Sequence, residues 1–182
     1  MKRPMWFFAV AIAALAAGSA PVLAIDAALI PPAKQTMANL YLVSYEVPGF
    51  IEARGGRVLF LDVRTPAELA SSGSTPLMDA NVPVKLAAAA GTQLEPNPGF
   101  AAWAGQRLAA KGLSKSDPVV LMCRSGSRSA MAADLLTAAG FTQVYSVADG
   151  FEGNGADGWK NSGLPWGYEL DRTKLPPAGQ AQ

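Results

Sequence analysis

The stretch Val119-Val120-Leu121-Met122-Cys123-Arg124-Ser125-Gly126-Ser127-Arg128-Ser129 contains the only cysteine of the 182-residue chain. Four apolar residues precede the cysteine, and an alanine- and leucine-rich helical pattern follows it over 130–139. This order predicts a strand, a tight loop and a helix. The backbone N–H groups of such a loop point inward at the positive end of the helix dipole, which favours a bound anion. The same position stabilises the thiolate form of Cys123, which is the nucleophilic form.

Strands and helices alternate on both sides of this stretch. Residues 58–61 form a continuous apolar run, which is typical of a buried parallel strand. Thr65-Pro66-Ala67-Glu68 predicts a helix start, with threonine as the N-cap and glutamate three residues later. The other predicted elements are strands at 40–42, 81–84 and 141–147 and helices over 45–54, 98–112 and 129–139. We therefore expect one α/β domain with a mostly parallel central sheet, flanked by helices on both faces.

Two polar segments follow predicted strands directly. Asp62-Val63-Arg64 comes after the apolar run at 58–61, and the cysteine loop comes after the strand at 119–122. Ligand sites of parallel sheets form beyond the carboxyl ends of the strands. We therefore expect the two segments to be near neighbours in space.

The N-terminus has the pattern of a secretory signal peptide. Lys2 and Arg3 precede an apolar run over 5–17, which is too short for a comfortable transmembrane helix, and small residues lead to Ala24. We predict a signal peptide over 1–24 and a periplasmic protein without a stable membrane anchor after cleavage; an uncleaved anchor is the alternative. An extended leader over 25–38, a domain over 39–168 and a disordered tail over 169–182 complete the predicted organisation.

Composition excludes several functions. Without Lys2 and Arg3 the chain carries 13 basic and 14 acidic residues, and its sequence has no basic patch of the kind that binds nucleic acid. We therefore expect no nucleic-acid partner.

The chain has no histidine, which excludes Ser-His-Asp and Cys-His catalysis and the usual zinc sites, so we expect no metal and no cofactor. A single cysteine cannot form an internal disulfide. In an exported protein it is a dimer link or a reactive thiol, and the surroundings of Cys123 favour the reactive thiol.

Several segments, in this order, resemble a single-domain rhodanese, a domain of the thiosulfate sulfurtransferase type. They are Leu61-Asp62-Val63-Arg64-Thr65-Pro66-x-Glu68, Asn81-Val82-Pro83, the loop from Cys123 to Ser129, Gly140-Phe141, Gly158-Trp159 and Gly163-Leu164-Pro165. The resemblance departs from the usual family pattern at Gly73-Ser74-Thr75-Pro76-Leu77 and in an expanded segment over 150–158. Both loops are expected at the mouth of the pocket.

The resemblance implies a sulfurtransferase in which Cys123 carries a persulfide. Its partners would be a small sulfur-containing anion as donor and cyanide, a thiol or a protein as acceptor. The residues that it assigns to substrate binding are Arg124, Ser125, Gly126, Ser127, Arg128 and Ser129. The backbone N–H groups of 124–128 would hold the persulfide, Gly126 would allow the bend, and Ser129 would cap the following helix. The side chains of Arg124 and Arg128 either bind the donor or are exposed charges, and Asp62 with Arg64 would be a supporting ion pair.

Loop length separates two related chemistries in this family. A six-residue loop runs from Cys123 to Arg128. In the family a loop of this length suits a sulfane sulfur, whereas the loop of related phosphatases has one residue more. A phosphatase or an arsenate-reductase-like enzyme is therefore a less favoured alternative. A periplasmic persulfide carrier with little small-molecule turnover and a catalytically silent scaffold are the two others, and the intact Cys123 loop argues against the scaffold.

Overall fold

The computed structural model describes residue 25, residues 27–88 and residues 93–177. The strands in these residues are β1 Tyr41–Leu42, β2 Leu59–Asp62, β3 Ala80–Asn81, β4 Lys85–Ala87, β5 Leu94–Pro96, β6 Val119–Met122 and β7 Val144–Val147. Five of them form a parallel sheet in the order β1-β7-β6-β2-β3. The strands β4 and β5 form a separate antiparallel pair.

Four α-helices surround the sheet in the part of the chain that the structure describes. They are α1 Val47–Glu52, α2 Pro66–Ser72, α3 Phe100–Ala110 and α4 Ser127–Ala138. Short 3-10 helices lie at Ala27–Leu29, Pro32–Lys34, Ser44–Glu46, Trp159–Asn161 and Arg172–Lys174. The start of α2 follows its sequence signature, because Thr65 and Glu68 form a reciprocal capping box and Pro66 is the first helical residue.

The two central strands, β2 and β6, are buried along their whole length because helices cover both faces. Side chains alternate across a strand, so Leu61 and Leu121 pack with α3 and α4 on one face. Phe60 and Val120 face the other way and pack with α1, α2 and Trp159. The predicted fold class is therefore confirmed: a mostly parallel sheet lies between two helical layers.

Several boundaries differ from those predicted. The helix after the cysteine loop begins at Ser127 instead of 129, and its N-cap is Gly126 in a left-handed conformation with φ of 100°. Ser129 is therefore inside the first turn, and its hydroxyl donates to the Gly126 carbonyl (2.8 Å), so the prediction that Ser129 caps the helix is wrong. The strand predicted at 81–84 ends at Asn81, and the strand predicted over 141–147 begins at Val144.

The two terminal segments also differ from their predictions where they are described. Residues predicted as an extended leader contain two 3-10 helices, and Ile30 of this segment is buried against Tyr41 and Ala148. At the other end, Lys174 donates to the Pro76 carbonyl (2.8 Å), so this part of the predicted disordered tail lies against the domain. The predicted signal peptide falls outside the described residues and stays a prediction. Among the residues that are described, no helix is long and apolar enough to span a membrane.

Candidate active site

The carboxyl ends of the parallel strands bring the predicted segments to one edge of the sheet. β2 and β6 are neighbours in register, with Asp62 opposite Met122, so the Asp62-Val63-Arg64 turn lies beside Cys123. β7 and β1 end at the same edge and add Asp149 and Ser44. The expected proximity of the two segments is therefore observed.

Cys123 is buried at the start of the loop, and its sulfur lies among hydrogen-bond donors. The Gly126 N–H donates to Sγ at 3.1 Å, and the Ser129 hydroxyl lies 3.6 Å from Sγ. In the described structure five further loop amides have no acceptor, those of Arg124, Ser125, Ser127, Arg128 and Ser129. Unpaired N–H groups at the start of a helix are suited to holding an anion. This loop therefore has the donors that an anion bound beside Cys123 requires.

Two glycines allow the loop to lie close to the end of β7. Gly126 has a positive φ, and a side chain there would meet the Ala148 carbonyl. Gly150, with φ of 72°, approaches the backbone of Arg124 and Ser125, and a Cβ on it would lie 2.6 Å from the Ser125 nitrogen. The residues after Gly150 then hold the loop, since the Phe151 N–H donates to the Cys123 carbonyl (2.8 Å).

The two arginines of the loop are both paired with acidic side chains. Arg124 is exposed and its Nε donates to Glu152 (3.1 Å). Arg128 is more buried and donates to both carboxylate oxygens of Glu68. Burial disfavours the charge of Glu68, yet the hydrogen bonds from Arg128 and Thr65 lower its pKa to about 2. The side chains of Ser125 and Ser127 are half-buried and exposed, respectively.

Asp62 and Arg64 form a fully buried ion pair in which Arg64 Nη2 lies 2.6 Å from Asp62 Oδ2. Arg64 also donates to Ser72 Oγ (2.8 Å) and to the Gly73 carbonyl (3.0 Å), which satisfies most of its guanidinium. The guanidinium carbon lies 4.1 Å from the centre of the Phe151 ring. The pair therefore supports the cysteine loop through Phe151. Its polar groups are buried and bonded to protein atoms, so the pair does not line a substrate surface.

The sequence did not predict two contacts at this edge of the sheet. The buried Asp149 carboxylate accepts hydrogen bonds from the N–H and hydroxyl of Ser44 (both 2.9 Å), and burial raises its pKa against the effect of these bonds. Ser44 and Asp149 follow β1 and β7, so the strand-end rule that selected Asp62 could have found them. Glu68 was recognised only as part of a helix cap, because its contact with Arg128 spans 60 residues of sequence.

No group of three acidic, cysteine or histidine side chains able to hold a metal ion occurs among the described residues. The site presents a cysteine nucleophile at the start of a loop whose other backbone amides are unpaired in the described structure. A nucleophile of this kind attacks an electrophilic sulfur or phosphorus atom that carries negative charge.

The fold and this loop define the class of protein, a rhodanese-like domain. The family model of the rhodanese-like domain matches residues 51–157, which cover β2, β6, the cysteine loop and α4. The chain therefore belongs to the rhodanese-like domain family. At the level of the family, this membership supports a role in sulfur transfer.

Individual relatives agree with this assignment. The chain is 47% identical over 51 residues to an uncharacterised protein of Rickettsia conorii, covering 28% of this chain and 42% of the relative. It is 47% identical over 49 residues to the thiosulfate sulfurtransferase GlpE of Actinobacillus pleuropneumoniae, covering 27% of this chain and 41% of that protein. Both alignments span less than half of the relative's length. The crystal structure of Rv0390 from M. tuberculosis is similar with a TM-score of 0.51 and 29% identity, covering 71% of this chain and 99% of that one.

Proposed function

We propose that the protein transfers a sulfane sulfur from thiosulfate or a similar anionic donor to a nucleophilic acceptor, through a persulfide on Cys123. The observation that carries this proposal is the set of unpaired amides in the loop that begins at the only cysteine of the chain, together with the hydrogen bond from the Gly126 N–H to its sulfur. A persulfide anion on Cys123 requires donors of this kind, and a six-residue loop provides them at short range. The similarity to a thiosulfate sulfurtransferase supports the choice of donor class.

In the first step the Cys123 thiolate attacks the outer sulfur of thiosulfate. A bond forms between Sγ and that sulfur, the sulfur–sulfur bond of thiosulfate breaks, and sulfite leaves with the electron pair. The negative charge moves to the terminal sulfur of the persulfide, where the amides of Arg124, Ser125 and Ser127 are available as donors. The step transfers no proton, which suits a chain without histidine.

In the second step an acceptor such as cyanide or a thiolate attacks the terminal sulfur. The bond between Sγ and that sulfur breaks and its electron pair returns to Cys123, which regenerates the thiolate. With cyanide the product is thiocyanate, and with a thiolate it is a persulfide of the acceptor. The loop therefore holds an anion at the start, the middle and the end of the cycle.

Intact mass of the purified protein, before and after incubation with thiosulfate, tests the proposal. The wild type should gain the mass of one sulfur atom and lose it again with cyanide, and the Cys123→Ser variant should gain none. No gain with thiosulfate or with another sulfane donor would refute sulfur transfer. Release of phosphate from an aryl phosphate ester would then support the phosphatase alternative.

Multiple turnover distinguishes an enzyme from a persulfide carrier. Thiocyanate should accumulate well beyond one equivalent per protein when thiosulfate and cyanide are both in excess. A single equivalent, with stable persulfide remaining on Cys123, would support the carrier alternative, in which a partner protein takes the sulfur.

We also propose that the protein acts outside the cytoplasm. This proposal rests on the sequence pattern of residues 1–24 alone. Fractionation of cells that express the full chain should recover the protein in the periplasm with residue 25 as its first residue. Recovery in the cytoplasm with residues 1–24 attached would refute it.

A further inference from the structure

We propose that Lys34 binds the anionic donor at the cysteine loop and makes the site selective for negatively charged reactants. The inference rests on the proposed function, because it concerns the donor of that reaction. Lys34 belongs to the segment predicted as an extended leader. In the structure this segment crosses the edge of the sheet where the cysteine loop lies.

The position of Lys34 is defined by two contacts with the loop and its support. Its Nζ donates to the Ala148 carbonyl at 2.9 Å. Its Cδ lies 3.0 Å from the place that a Cβ on Gly126 would occupy, so the lysine stem packs on Gly126. Because the Gly126 N–H donates to Cys123 Sγ, one residue separates the lysine stem from the reactive sulfur.

The lysine segment is anchored on both sides. Before Lys34, the buried Ile30 packs with Tyr41 and Ala148. After it, the Thr36 N–H donates to the Tyr41 hydroxyl (2.7 Å) and the Met37 N–H donates to the Asp134 carboxylate of α4 (2.8 Å). These contacts hold the backbone of the segment beside α4, so the position from which the Lys34 side chain extends to the loop is fixed.

Each of the two loop arginines is paired with a carboxylate, whereas Lys34 has no such partner in the described structure. Arg124 is paired with Glu152 and Arg128 with Glu68, so a carboxylate offsets each of them. Within the described residues Lys34 forms no ion pair, and its hydrogen bond is to a neutral carbonyl. The nearby Asp149 carboxylate is bonded to Ser44 and Gly158 instead.

A lysine ammonium has three N–H donors, and the Ala148 carbonyl takes one of them. In the part of the chain that the structure describes, no acceptor takes the other two, which can donate to an anionic oxygen of a donor such as thiosulfate. A cation without a counter-charge beside a site also raises the rate at which anions arrive. Lys34 should therefore accelerate the reaction of Cys123 with anions and leave its reaction with uncharged reagents unchanged.

The test compares Lys34→Gln with Lys34→Arg and with Lys115→Gln as a matched control. Lys115 also donates to a backbone carbonyl, that of Ala139, but at the opposite end of α4. At low ionic strength Lys34→Gln should slow single-turnover persulfide formation with thiosulfate by about three- to tenfold, and added salt should reduce the difference. Lys34→Arg and Lys115→Gln should stay within about twofold of the wild type. Equal slowing by Lys34→Gln and Lys115→Gln would overturn the proposal.

A second measurement is independent of sulfur transfer. Iodoacetate and iodoacetamide alkylate the same single cysteine but differ in charge, so the ratio of their rates reports the field at Cys123. Lys34→Gln should lower the ratio of the iodoacetate rate to the iodoacetamide rate, whereas a merely structural loss would change both rates in the same proportion. An unchanged ratio would overturn the proposal. A wild type that forms no persulfide overturns the proposed function, and the alkylation ratio then decides on Lys34 alone.

Discussion

Arg128 and Glu68 are joined by two parallel hydrogen bonds, which tie the first turn of α4 to the first turn of α2. The same carboxylate accepts from the N–H and hydroxyl of Thr65 (both 3.0 Å). One side chain thus fixes the helix that follows the Asp62 strand end and the helix that follows the cysteine loop. The contact also occupies the more buried of the two loop arginines.

Glu68→Gln is expected to reduce the acid sensitivity of the fold. The folded-state pKa of Glu68 is about 2, below its ordinary 4.5, so its contribution is present above about pH 4.5 and is lost as pH falls through about 2. Because the carboxylate is partly solvated, we expect the free energy of unfolding of the variant to be lower than that of the wild type by about 1–2 kcal/mol at neutral pH. At about pH 2 the two free energies should be almost equal. Urea unfolding across this range measures the difference.

The exposed Glu95→Gln is the control for Glu68→Gln, because Glu95 forms no ion pair in the described residues. Its free energy of unfolding should follow that of the wild type at every pH. A pH-independent difference between Glu68→Gln and the wild type would contradict the assignment.

Arg64→Met is expected to lower the free energy of unfolding by about 3–5 kcal/mol, since it leaves the Asp62 carboxylate buried without a counter-charge. Chemical denaturation measures this loss. Arg57→Met removes an exposed pair with Asp117 and should leave the free energy of unfolding close to that of the wild type. Equal stability of the two variants would mean that the buried pair contributes no more to the fold than the exposed one.

The sheet and the neighbourhood of the site could be predicted because they depend on local patterns. Continuous apolar runs marked β2 and β6, and the rule for the ends of parallel strands placed Asp62 near Cys123. The start of α4 could not be predicted, because serine is the commoner N-cap and only the contact between Gly126 and Ala148 selects the glycine. The contact of Lys34 with Ala148 spans 114 residues, and no local pattern encodes it.

Gly126→Ala is expected to abolish persulfide formation and to destabilise the fold by more than about 2 kcal/mol, because it adds a steric clash with the Ala148 carbonyl to an unfavourable φ of 100°. Gly112 also has a positive φ of 69°, but a Cβ there would meet open space. Gly112→Ala should therefore cost only about 1 kcal/mol and leave persulfide formation intact. Thermal unfolding and intact mass measure both effects, and similar results for the two variants would mean that the close approach to Ala148 is unimportant.

Arg124→Gln is expected to change persulfide formation by less than about twofold and stability by less than about 0.5 kcal/mol, because the side chain is exposed and its charge is offset by Glu152. Arg128→Gln should lower the free energy of unfolding by about 1–3 kcal/mol, since it leaves the Glu68 carboxylate without its bidentate partner. Single-turnover kinetics with thiosulfate and urea unfolding distinguish the two arginines. A strong rate loss in Arg124→Gln at unchanged stability would instead assign donor binding to the Arg124 side chain, which would then have to leave Glu152 when the donor arrives.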